Sequence, residues 1–112
     1  MTDEQMNIAI CKAIGWTHIN IDEPNSGHCP GQGMPGLCRL PDHINGIEAL
    51  GHMHEAEKLL HGTDLWNVYG RILFELMIPT RLNGISYAIA QVSHAPARQR
   101  AIAFLRTLNL YK

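Results

Sequence analysis

The amino-acid sequence predicts a small, single-domain α+β protein, and three observations lead there. The chain has 112 residues, room for one domain with one modest core. Its apolar share of 46% can fill that core, and its charged share of 17% is too low to hold the chain open by self-repulsion. Segments of helical and of alternating spacing follow one another in the order α-β-loop-α-α-β-α, and no internal repeat is visible.

Thr2-Asp3-Glu4-Gln5 is a capping box, with Thr2 as N-cap and Gln5 reaching back to it. Asp3 and Glu4 suit the positive end of the helix dipole. Met6, Ile10, Ala13 and Ile14 recur on one face and Gly15 supplies a C′ glycine, so the first helix is expected over residues 3–14. Residues 16–22 alternate: Thr17, Ile19 and Ile21 point one way, Trp16, His18 and Asn20 the other. That is the pattern of a half-buried strand.

Pro24, Pro30, Pro35 and Pro41, interspersed with glycines, make residues 23–41 a long Pro/Gly-rich loop. Such loops are usually functional or lie across a partner. Asp42 is a good N-cap for a helix on which Ile44, Ile47, Leu50, His54 and Lys58 follow related faces. Gly46 and Gly51 weaken its first half by about 1 kcal/mol each relative to alanine. Gly62 ends this helix, and Thr63 or Asp64 caps the next. There Leu65, Val68, Tyr69, Ile72, Leu73 and Leu76 recur until the chain approaches Pro79.

Asn83-Gly84 is a turn signal, and residues 81–93 alternate again, predicting a second strand or hairpin arm. A last helix starts near Pro96, a residue favoured at the first helical position. Ala97, Ala101, Phe104, Leu105 and Leu108 form its apolar stripe, with Arg98, Gln99, Arg100 and Arg106 off it.

The formal net charge is −1. Phosphate contacts supply most of the affinity of duplex binders, so this balance argues against a nucleic-acid polymer as partner. It leaves room for a local basic patch holding a small anion. The low charged share also implies that partner subunits cover some apolar surface. MTDEQMN lacks the basic and apolar regions of a signal peptide, and no apolar run has the length of a membrane span. Cys11, Cys29 and Cys38 cannot all pair, so we expect free thiols in a reducing cytosol and no membrane partner.

Several motifs match by letters and fail in context. Gly31-Gln32-Gly33-Met34-Pro35-Gly36 fits GxGxxG, but prolines stand where the dinucleotide fingerprint needs a strand and a helix. His28, Cys29 and Cys38, with His43, His52 or His54, offer four zinc ligands. Cys29 and Cys38 are too far apart for a zinc knuckle, so core or surface histidines and no metal are expected. His54-Glu55 begins like HExxH, but Lys58 takes the place of the second histidine. Ser93-His94 and His28-Cys29 are neighbours only in sequence, Glu55 and Glu57 point to different helix faces, and no GxSxG elbow exists. Neither an enzyme nor a cofactor is expected.

Arginines carry more. Arg81 leads into the second predicted strand, and Arg98, Arg100 and Arg106 line the last helix. Guanidinium forks bind phosphate bidentately, and aromatic rings stack on bases. Phe74, Tyr69, Trp66 and Tyr87 are candidate stacking groups, and Asn83 a candidate base or ribose reader. The plainer alternative is that these arginines are solvated and the aromatics form core.

Two segments together resemble a known family. LPDHINGIEALGHMHEAEKLL resembles the central helix, and SHAPARQRAIAFLRTLNLYK the terminal helix, of the phage ABA-sandwich proteins. MTDEQMNIAICKAIGWTHINI is similar to their N-terminus, a short helix ending in Gly-Trp before a strand. The resemblance lapses across the Pro/Gly loop and residues 62–86, and QRA-x-AFLRTL is its specific part. Pro96 stands where the family more often has a capping hydroxyl.

The resemblance implies a small α/β/α sandwich, with a short antiparallel sheet packed by the N-terminal, central and C-terminal helices. The characterised branch it is similar to, the type-1 Thoeris anti-defence proteins, act as phage sponges. They sequester host immune signalling nucleotides, cyclic ADP-ribose isomers and in some cases cyclic oligonucleotides, without cleaving them. They assemble as dimers and further as hexamers, with ligand between protomers, in the host bacterial cytosol. Arg100 and Arg106 stand at matched positions of the terminal helix, and Asn83 and Phe74 are the counterparts of the asparagine and aromatic. Arg98, Arg81 and Arg39 are further phosphate partners. The alternative is a phage accessory protein acting through protein–protein contacts, without a small-molecule ligand.

Overall fold

A computed structural model of the chain describes residues 1–20, 26–30, 37–77 and 95–112. Among them are four helices and one two-stranded antiparallel sheet, so the α+β class holds. The helices are α1 (Asp3–Ala13), α2 (Ala49–Glu57), α3 (Leu65–Met77) and α4 (Ala97–Thr107). The strands are β1 (Ser26–His28) and β2 (Leu37–Arg39), with Gly27 opposite Cys38.

α1 forms where its signals place it. The Thr2 hydroxyl accepts from the Gln5 amide at 3.1 Å, and the Gln5 side chain accepts from the Thr2 amide at 2.9 Å. Gly15 takes φ +109°, a left-handed conformation that glycine adopts without penalty, and the helix stops. Of the strand expected over residues 16–22, the described residues show a single bridge. Thr17 exchanges backbone hydrogen bonds with His28, while His18 turns to φ +53° and breaks the extended run. Trp16 is buried with Cys11 and Leu40, against the end of α1.

The segment 23–41, read as loop, contains both strands of the hairpin. Gly27 explains how the bridge fits on it. A Cβ there would lie 3.2 Å from Ile19 Cγ1 and 3.3 Å from the Thr17 carbonyl oxygen, tight contacts that would make these neighbours give by a few tenths of an ångström, which glycine avoids.

α2 starts later than Asp42 suggests. The Asp42 carboxylate accepts from the amides of Ile44 and Asn45 and thereby closes a turn of its own. Gly46 then sits at φ +95°, and regular helix begins at Ala49. The apolar face shifts accordingly. Ala49, Met53, Ala56 and Leu60 are buried, whereas Ile47, expected on that face, is wholly exposed. Gly62, at φ +76°, separates α2 from α3, whose Tyr69 and Leu73 are buried with Ile72 and Leu76 beside them. The second strand predicted over 81–93 and its Asn83-Gly84 turn lie outside the described residues.

α4 is the hub. It packs against α1, α2 and α3 alike, and Arg100, Ala101, Ala103, Phe104, Leu105 and Thr107 are all buried. Ala101 and Ala103 let neighbouring helices come close, and Phe104 and Leu105, fully buried, each contribute about 1.5–3 kcal/mol. Pro96 stands one place earlier than expected, as the N-cap rather than the first helical residue.

One polar side chain fastens α1 to the turn before α2. Asn7 Nδ2 donates to the Pro41 carbonyl at 2.9 Å, and Asn7 Oδ1 accepts from the His43 amide at 2.9 Å and from His43 Nδ1 at 2.8 Å. Removing it leaves buried donors without partners, so Asn7→Ala is expected to cost about 2–3 kcal/mol in a urea unfolding experiment.

Candidate functional site

The site candidate lies where α2, α3 and α4 meet. A cavity of about 290 Å³ opens there, lined among others by Glu57, Trp66, Asn67, Tyr69, Arg71 and Arg100. Trp66 stands on the side of α3 that carries Tyr69 and Leu73, at i, i+3 and i+7, and Asn67 and Arg71 follow one another at i, i+4 on the neighbouring side, so one helix supplies both rim and floor. Gly70 lies between them. A Cβ added there would meet nothing within 4 Å among the described residues, so the glycine answers no packing demand from them.

The floor is charged and buried. Arg100 Nη1 donates to Glu57 Oε1 at 3.2 Å and Oε2 at 3.1 Å, and Arg100 Nε donates to the Ala95 carbonyl at 2.9 Å. Glu57 also stands 3.2 Å from His54 Nδ1. Both residues are buried, Arg100 at 7% and Glu57 at 3% exposure, so each requires the other: an unpaired ion here would be strongly unfavourable. The Tyr69 hydroxyl is buried beside the side chains of this pair and makes no well-aligned hydrogen bond among the described residues. Such a group forgoes about 1–3 kcal/mol. Burial first, and the Glu57 carboxylate second, push its ionisation well above the usual phenol range, so Tyr69 stays a neutral O–H.

The rim is aromatic. Trp66 meets the edge of His61 at a centroid distance of 4.5 Å and Tyr69 at 5.5 Å, yet remains 39% exposed. Arg71 is exposed at the mouth, and no ion pair is formed by it among the described residues.

The residues singled out from sequence do not converge. Arg100 is in the cavity, but as half of an ion pair rather than on a solvated face. Arg98 is exposed and paired with Asp3 of α1. Arg106 is exposed, with its guanidinium carbon 5.1 Å from the Tyr111 ring centre. Phe74 is 40% exposed on α3, one turn beyond Gly70. Arg39 lines two other clefts, which Asp3, Glu4, Asp42 and Glu48 make unsuitable for an anion. Asn83 and Arg81 lie outside the described residues. Trp66 and Tyr69 were legible as stacking candidates. Asn67, Arg71 and Glu57 were missed, although the i, i+4 spacing of Asn67 and Arg71 places both on one helix face.

A second cluster has the letters of a cysteine-protease triad: Cys11, His43 and Asn7. Its geometry is wrong for that chemistry. His43 Nδ1 gives its proton to Asn7, and the Cys11 sulfur lies 3.9 Å from that same nitrogen, so no basic nitrogen faces the thiol. Cys11 has no exposed surface, and burial pushes its thiol up to about 12. The cluster is structural. Among the described residues no group of three or more His, Cys, Asp and Glu side chains is placed to hold a metal ion, and Cys11, Cys29 and Cys38 are free. Among them, too, no helix is long and apolar enough to cross a membrane.

No protein-family model matches this sequence, and no curated protein or solved structure matches it either.

Two outcomes follow from the buried groups. Glu57→Gln or Arg100→Ala removes one member of the buried ion pair and is expected to cost about 3–5 kcal/mol by chemical denaturation, whereas Glu57→Leu with Arg100→Met is expected to recover most of that loss. Burial, helped by nearby His52, pushes His43 down to about 4 from its ordinary 6.5. Between those values the unfolded chain binds the proton that the folded chain refuses, so stability falls as pH falls from 6.5 toward 4, by up to about 1.4 kcal/mol per unit. Urea midpoints across that range should lose most of this slope in His43→Gln.

Proposed function

We propose that this protein captures a host signalling nucleotide, a cyclic ADP-ribose isomer or a cyclic oligonucleotide, and holds it without cleavage. On this reading it belongs with the phage ABA-sandwich proteins and their type-1 Thoeris anti-defence branch, and acts in the host bacterial cytosol. The observation that carries the reading is the cavity between α2, α3 and α4. There an accessible indole, a buried hydroxyl with no well-aligned hydrogen bond among the described residues and two guanidinium groups share one concavity. Aromatic faces, polar base-reading groups and arginines are what enclosure of an anionic, aromatic ligand requires.

A sponge needs no nucleophile, and the buried Cys11 beside His43 is unsuited to be one. The ion pair changes the division of labour. Glu57 neutralises Arg100, so Arg71 at the mouth is the better placed cation for phosphate, and Arg100 serves the floor. At about 290 Å³ the cavity is at the lower edge of small-molecule pockets, room for part of a cyclic dinucleotide. Closure by a second copy supplies the rest, in a dimer or a hexamer built from dimers. Leu65 and Phe74 are further exposed apolar residues of α3, surface of the kind a second copy would cover.

A second reading, a phage accessory protein working through protein–protein contact, is supported by Ile47, Leu50 and Leu59. These are exposed along α2 and its approach, away from the residues that line the cavity.

A retention assay separates these readings. Protein incubated with cyclic ADP-ribose isomers or cyclic oligonucleotides, freed of unbound ligand and then heated should release the intact nucleotide by mass spectrometry. Hydrolysed product would make the protein an enzyme, and retention of none of them would end the ligand-binding reading. At a thousandfold excess over Kd, a retained ligand should add about 4 kcal/mol to stability.

A further inference from the structure

We infer that the floor of the α2–α3–α4 cavity reads an amino-bearing nucleobase: Glu57 accepts from the exocyclic amine, Tyr69 donates to the adjacent ring nitrogen, and Trp66 stacks on the ring. This rests on the cavity being the nucleotide site proposed above, and says which end of the ligand goes in first.

Charge decides the orientation. A phosphate on the floor would meet the Glu57 carboxylate, and the Arg100 charge that might offset this is already shared with Glu57 through two contacts of 3.1 and 3.2 Å. The floor therefore suits a neutral polar group, and the phosphate belongs at the mouth with Arg71.

Hydrogen-bond inventory decides the class of base. An ionised carboxylate only accepts, and its two oxygens have about four lone-pair directions. Glu57 spends some on Arg100 and on His54. Tyr69, 2% exposed, is a hydroxyl beside the Glu57 and Arg100 side chains that has no well-aligned hydrogen-bond partner among the described residues. A donor and an acceptor side by side match a ring that offers an amine next to a ring nitrogen. Adenine and cytosine do so. Hypoxanthine and uracil place a carbonyl oxygen there, against the carboxylate. Gly70, with open space where a side chain would stand, lets the flat ring lie close to the α3 backbone, beside Trp66 and Asn67.

Calorimetric titration of the full chain with AMP, IMP and ribose 5-phosphate tests this, since AMP and IMP differ at the amine. AMP is expected to bind about tenfold more tightly than either of the others. Tyr69→Phe is expected to shrink the AMP/IMP ratio at least threefold with an unchanged or higher melting temperature, because the hydroxyl it removes has no well-aligned hydrogen-bond partner among the described residues. Gly70→Leu should fill the cavity and abolish AMP binding, with Gly70→Ala as the folded control. Equal binding of AMP and ribose 5-phosphate, equal binding of AMP and IMP, no binding of AMP at millimolar ligand, or an AMP/IMP ratio untouched by Tyr69→Phe would each overturn the inference. The retention assay distinguishes its failure from that of the function. Cyclic nucleotide held equally by wild type and Gly70→Leu leaves the sponge standing and removes this cavity. AMP selectivity without retention does the reverse.

Discussion

The Glu57–Arg100 ion pair constrains the fold more than any other contact, because it sits where the central helix is least able to tolerate an error. α4 is buried on nearly every side, and Arg98 and Arg106 are its exposed residues. A guanidinium facing inward from such a helix must bring its own counterion. Glu57 provides it from the last turn of α2, which fixes how α2 and α4 lie against each other. The Ala95 carbonyl takes a further donor of Arg100, so the entry to α4 is anchored by the same side chain. Hydrophobic burial supplies most of the stability here, as it does generally, but it is indifferent to register. The ion pair is not.

Local signals were readable and long-range ones were not. The capping box at Thr2, the glycine stop at Gly15, the break at Gly62 and the stripe of α3 depend on residues within a turn or two of each other. The errors have a common cause. Asp42 has the chemistry of an N-cap, but a carboxylate that closes a turn and one that starts a helix look alike until the next glycine is placed. The hairpin strands have three residues each, too few for alternation to register, and they lie among prolines that argue for loop. Trp16 to Asn20 has the spacing of a strand, yet His18 in a left-handed conformation ends it after one bridge.

The candidate site was half legible for the same reason. Trp66 and Tyr69 announce themselves by type, and Arg100 by its position on a basic helix. What Arg100 does was hidden, because its partner stands 43 positions earlier in the chain and no spacing rule reaches that far. The partition of charge was also out of reach of composition. A net charge near zero conceals clefts walled by Asp3, Glu4, Asp42 and Glu48 on one part of the surface, and a cavity whose mouth carries Arg71 on another. An anion approaching this protein meets unlike faces, and the field would turn it toward α3.

The central position of α4 has a consequence for how the molecule comes into being. α1, α2 and α3 all pack on it, yet it is the last of the described helices to leave the ribosome. Until then Met6, Ile10, Met53, Leu60 and Tyr69 have no common surface to bury against, and helices of 9 to 13 residues are marginal alone in water. The core that holds α1, α2 and α3 together is therefore completed by the helix made after them, through Ala101, Phe104 and Leu105.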